Sequence, residues 1–171
     1  MPAQTVSFQA VDFGPIWLLG KQTTVQQGKT AVKFVTAFRR DGSNDYLQSL
    51  PERVSPKGDI IIWMGGYDPA SKSFTEIPGV FVRPGCRYEG DYAVRELPAC
   101  TMGVCSITGP TRDLSRGAHN KLLKAMQQAG YAPDYSPGYS MEYYSYELYE
   151  QDRETYTFSY YLPCRRLEVN R

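Results

Sequence analysis

The order of local patterns repeats within the chain, and this repetition limits the possible folds more than any single motif does. A strand-like run, Pro15-Ile16-Trp17-Leu18-Leu19-Gly20, precedes a stretch in which Ala31, Phe34, Val35 and Phe38 recur at helical spacing until Asp41-Gly42 stops it. A hairpin pattern follows: Ile60 to Tyr67, a turn at Asp68-Pro69-Ala70-Ser71-Lys72, and Phe74 to Ile77 closed by Pro78-Gly79. Later the same events recur. Pro98-Ala99-Cys100-Thr101-Met102-Gly103 again spaces a proline and a glycine by four residues. Leu114, Ala118, Leu122, Ala125, Met126 and Ala129 then form an apolar stripe opened by Asp113 or Ser115 and closed by Gly130. Met141 to Tyr149, the turn Glu150-Gln151-Asp152-Arg153-Glu154, and Tyr156 to Leu162 make a second hairpin ending at Pro163. The pattern predicts an α+β domain over residues 1–171, with two pseudo-symmetric strand–helix–hairpin repeats, about 1–82 and 92–171, whose antiparallel sheets face a central cleft. Thr5 to Val11 alternates like a further half-buried strand, and Val82 to Glu96 reads as the crossover between halves.

Charge and cysteine content exclude several classes of function. Nineteen basic residues stand against 18 acidic ones, so no broad positive field exists for a phosphate backbone, and direct nucleic-acid binding is not expected. Arg39-Arg40 and Arg165-Arg166 read as solvated chain or helix ends. The longest apolar stretches, such as Ile60 to Met64, are far shorter than the roughly 20 residues of a spanning helix. The opening Met1-Pro2-Ala3-Gln4-Thr5 lacks the pattern of a secretory signal, which gives a cytoplasmic expectation. Cys86, Cys100, Cys105 and Cys164 have no zinc-knuckle spacing, so neither a metal nor another cofactor is expected, and they read as reduced, mostly buried thiols.

The 14 tyrosines, crowded toward the end of the chain, supply surfaces that are apolar yet able to hydrogen-bond. Strand alternation divides them between two faces. Tyr144, Tyr146 and Leu148 fall on one face of the last hairpin, with Tyr156, Phe158, Tyr160 and Leu162 on its partner strand, and this set suits a core under a helix. Tyr143, Ser145, Glu147, Tyr149 and Tyr161 fall on the other. In the first repeat Ile60, Ile62 and Met64 read as core, leaving Ile61, Trp63, Gly65 and Tyr67 opposite. Facing the two mixed surfaces predicts a ligand pocket walled by Trp63, Gly65, Tyr67, Tyr143, Tyr149 and Tyr161 with Glu147 at its centre; a wetted sheet face with Glu147 as a surface charge is the alternative.

Gly66-Tyr67-Asp68 followed by Ile77-Pro78-Gly79, Gly109-Pro110 ahead of the second helix, and Tyr146-Glu147-Leu148-Tyr149-Glu150 before a hairpin ending Tyr161-Leu162-Pro163 resemble the GyrI-like, or AraC-type, effector-binding domains over nearly the whole chain. The resemblance implies a groove between two halves that takes bulky, lipophilic and often cationic small molecules, for sensing or sequestration. It places Glu147 at the family's Glu-x-Tyr position as the counter-charge, supported by cation–π contact with the aromatic walls. The chain departs from the pattern at Gly109-Pro110-Thr111, where many members carry Gly-Pro-Tyr, and shows no helix-turn-helix, so the resemblance implies a stand-alone module that would need a separate regulator to act on DNA. Two other activities are implied by relatives: hydrolysis of strained cyclopropane-type natural products, with Glu147 as general base and Tyr149 or Tyr143 as proton donor, and protein-directed topoisomerase inhibition. His119, the single histidine, reads as a surface residue of the second helix.

Overall fold

The computed structural model describes residues 4–169, so Met1-Pro2-Ala3 of the opening segment lies outside the described residues. Ten strands form one sheet: β1 (Thr5–Phe13), β2 (Ile16–Gly20), β3 (Thr23–Gln26), β4 (Ile60–Asp68), β5 (Ser73–Val82), β6 (Ala93–Leu97), β7 (Cys100–Gly109), β8 (Tyr131–Pro133), β9 (Tyr139–Tyr144) and β10 (Tyr156–Arg166). Helices α1 (Val32–Arg40), α2 (Ser43–Ser49) and α3 (Ala118–Gln128) connect them, and a single π-helical turn, Tyr146–Glu150, follows β9. The α+β class read from the sequence is the class observed. The halves meet edge to edge, β4 pairing antiparallel with β9, and the order is β1-β7-β10-β9-β4-β5-β2-β6. Reading outward from the β4–β9 seam, each half carries its hairpin, then its proline-led strand, then one outer strand. Those outer strands are exchanged: β1 pairs with β7, and β6 pairs with β2.

Pairing register divides the sheet into two faces with different fates. One face carries the helices. Ala118, Leu122 and Met126 of α3 recur at i, i+4 and i+8, and with Leu114 they pack on Cys105, Ile107, Phe158, Tyr160 and Leu162. Phe38 of α1 and Leu47 of α2 pack on Leu19, Val80 and Val82. Replacing a side chain such as Leu122, with no exposed surface, by alanine removes apolar burial and leaves a cavity, at a cost of about 2–5 kcal/mol.

The other face closes on itself. Phe13 of the edge strand β1 lies 5.6 Å, centroid to centroid, from Phe81 of β5, although four strands separate them in the sheet order. Curling brings Ile61, Trp63, Ile77 and Phe81 against Met102, Val104 and Met141 in one buried cluster. Backbones also approach closely where β2 pairs with β5, Gly20 opposite Gly79: a Cβ on Gly79 would collide with the Leu19 carbonyl oxygen, and one on Gly20 with that of Pro78. Gly79→Ala is therefore expected to cost at least about 3 kcal/mol in urea unfolding, because backbone rather than a flexible side chain obstructs the methyl group.

Several boundaries differ from the sequence reading. The crossover contains β6, β3 and β8 were not anticipated, and α2 follows Gly42 directly. Pro78 and Pro163 lie inside β5 and β10 rather than ending them. The second repeat's helix begins at Ala118, behind Gly117 at φ +66°, rather than at Asp113 or Ser115.

Candidate functional site

On the helix-bearing face, α1 and the α3 group stand apart over the β4–β9 seam. The cleft between them, about 480 Å³, has α1 on one wall, Ser115 and Tyr149 on the other, and Ile62, Glu76, Glu142 and Tyr144 in its floor. Register explains this floor. Ile62 pairs with both Pro78 and Glu142, and the next same-facing position, Met64, pairs with Glu76 and Ser140. The two glutamates thus lie diagonally across one strand. Val32, Val35, Thr36 and Arg39 follow helical spacing along α1 and face the same space.

The carboxylates are electrostatically unusual. Burial pushes the Glu142 carboxyl above its ordinary range, against the opposing effect of a 2.6 Å hydrogen bond donated by the Tyr144 hydroxyl. Burial, with the nearby Glu142 charge second, raises Glu76 from 4.5 to about 7. Among the described residues neither carboxylate forms an ion pair: Arg39, on the cleft wall, is engaged by Glu150 at 2.8 Å, and Lys29 is solvent-exposed. Two half-buried acids thus face the cleft without an ion-pairing partner among the described residues, and burial disfavours the charged form of each.

The residues predicted from sequence distribute differently. Trp63, Tyr143 and Tyr161 lie in the closed face of the sheet, where Trp63 is 7% exposed and the Tyr143 and Tyr161 rings stack at 5.6 Å. The expected cleft between mixed faces is filled by this core, because the curled sheet needs no helix to cover that side. Gly65 and Tyr67 line a separate groove beside the seam. Tyr149 does line the cleft, and its hydroxyl donates to the Arg112 carbonyl at 2.9 Å. Glu147 is exposed on the π-helical turn: β9 stops at Tyr144, so the strand alternation projected to Tyr149 does not hold. Glu147, Tyr143 and Tyr149 consequently do not converge as a base and its proton donor, since Tyr143 donates to Asp59 and Tyr149 to Arg112.

Asp59 anchors the turn that carries Tyr149. Its buried carboxylate accepts from the Tyr143 hydroxyl and, at 2.8 Å, from the Tyr146 amide; Arg112 adds bonds to the Tyr149 and Glu150 carbonyls. Ser145 Oγ accepts from Leu148 N at 3.1 Å and starts the turn. Asp59→Ala strands two donors and is expected to cost about 2–4 kcal/mol, read as a lowered Tm, with Tyr149 losing its fixed place in the cleft.

Glu142 and Glu76 were missed in the sequence because that face read as core. The available signal was a charged residue at the parity of Tyr144, which a continuous helix layer could not accommodate.

No family model and no curated protein matches the chain. Solved structures do. EcmrR in its DNA complex superposes with a TM-score of 0.59 at 15% identity over 96% of this chain, which spans 58% of the EcmrR chain. These chains share a fold. A transcription regulation protein from Staphylococcus aureus MU50 gives 0.60 at 15% identity, covering 93% of this chain and 98% of its own. SAV2435, solved bound to tetraphenylphosphonium, gives 0.57 at 13% identity, covering 93% and 94%. The domain therefore shares the architecture of a protein solved in complex with DNA and of one solved with tetraphenylphosphonium, with the sequences almost wholly diverged.

Proposed function

We propose that the chain binds a lipophilic organic cation in the cleft over the β4–β9 seam, as a sensing or sequestering module, with Glu142 and Glu76 as counter-charges and the rings of Tyr144, in the floor, and Tyr149, on the wall, as its aromatic surfaces. The observation that carries this reading is the pair of half-buried carboxylates facing one cleft with no cationic partner among the described residues. An organic cation sheds its hydration at lower cost than a metal ion or an ammonium, and aromatic faces contribute about 0.5–2 kcal/mol each by cation–π attraction. Ile62 and Val35 add apolar contact. The tetraphenylphosphonium carried by SAV2435, a protein of the same fold, supports a ligand of this chemistry.

Fluorescence titration with tetraphenylphosphonium and with neutral triphenylphosphine oxide tests the proposal. Saturable binding of the cation, at least about tenfold tighter than the oxide, is expected, because only the cation recovers the desolvation cost of the carboxylates. Equal affinity would overturn it. Mass spectrometry of the recovered ligand should show it unchanged; a gain of one water on a hydrolysable ligand would replace sequestration by turnover.

A further inference from the structure

We propose that the cleft's ligand is an amphipathic cation whose apolar arm occupies a second groove, directly along the sheet from the two carboxylates. This inference rests on the cation-binding reading and specifies the class of cation. The groove, about 250 Å³, is lined chiefly by Met64, Phe74, Tyr135, Leu162 and His119.

Its continuity with the cleft follows from strand register. Moving two residues along each central strand, about 7 Å, passes from Ile62 to Met64 on β4, from Glu142 to Ser140 on β9, and from Glu76 to Phe74 on β5. The first member of each pair lines the cleft and the second lines the groove. On β10 the same step joins Tyr160, opposite Glu142, to Leu162 in the groove. Cleft and groove are thus consecutive rungs of one face, acidic first and apolar next.

The groove has no carboxylate, lysine or arginine in its lining, so it offers nothing to a second charge. Its one histidine, His119, is held toward the neutral form by burial. Ser140, in its lining, already accepts a hydrogen bond from the Tyr160 hydroxyl at 2.9 Å. Tyr67 and Tyr135, 53% and 59% exposed, stand at its sides as apolar surface that an alkyl or aryl arm would cover. A cation fixed by Glu76 and Glu142 places its substituent here.

Calorimetric titration of methyltriphenylphosphonium and decyltriphenylphosphonium against wild type, Tyr135→Ser and Phe74→Ser tests this. The decyl compound should bind wild type at least about tenfold tighter, the gain expected when two or more methylenes are buried. In each variant that gain should shrink to less than about threefold, while affinity for the methyl compound changes by less than about twofold and so reports an intact fold. Equal binding of the two compounds by wild type, or a gain surviving both substitutions, would overturn the arm-binding groove while leaving the cation cleft in place. If neither phosphonium bound wild type, the cation reading itself would fall, and this inference with it.

Discussion

Glu142→Gln is expected to weaken tetraphenylphosphonium binding about a hundredfold and to remove most of the preference for the cation over its neutral analogue. Glutamine is nearly the same size and keeps a carbonyl to accept the Tyr144 hydroxyl, so the substitution removes charge with little change in packing. The magnitude follows from burial, because removing one partner of a pair shielded from water leaves the other charge desolvated and uncompensated, which costs more than the roughly 0–1 kcal/mol of a surface pair. Glu147→Gln is the comparison: its carboxylate is exposed beyond the end of β9, and its removal should change affinity by less than about twofold. If the two variants exchanged these outcomes, the counter-charge would belong to the π-helical turn.

Cation affinity should also fall steeply with acidification through neutral pH. Glu76 ionises near 7 in the folded protein instead of 4.5, so below that value a proton competes with the ligand. Affinity should then drop by up to about tenfold per pH unit below 7, and Glu76→Gln should lose that inflection. Stability responds with the opposite sign. A carboxyl whose pKa is raised by folding contributes its stability below 4.5, and that contribution is lost as pH rises toward 7. At pH 8 the unliganded Glu76→Gln variant should thus be more stable than wild type, by about 1–2 kcal/mol once solvent screening of a half-exposed group is allowed for. Thermal unfolding at pH 5 and pH 8 reads this directly: a stabilisation equal at both values would show that the carboxylate charge is not its cause.

The fold class was legible because it rests on periodicity, and the α3 stripe of Ala118, Leu122 and Met126 became the buried stripe observed. The site was less so, for two physical reasons. Alternation tells which residues share a face but not which face remains open. Trp63, Tyr143 and Tyr161 share one face, yet the long-range contact of Phe13 with Phe81 shuts that face instead of leaving it as a pocket wall. Alternation also says nothing about where a strand stops. Tyr-rich sequence favours strand conformation, and only tertiary bonds from Asp59 and Arg112 reveal that the chain coils after Tyr144, carrying Glu147 outward. Glu142, two residues before that bend, keeps its strand parity and enters the cleft.

The exchange of outer strands bears on how the molecule is made. β1 is synthesised well before its partner β7, which begins only at Cys100, so it must wait for every element between them. Contacts across such separations form slowly, and an alternating strand without a partner is exposed to mispairing throughout that interval. Neither half can finish its own sheet, because β6, made between them, completes the first while β1 completes the second. The stretch of synthesis between β1 and β7 is therefore a vulnerable one, and the cleft is complete only once β9 and Tyr149 have followed.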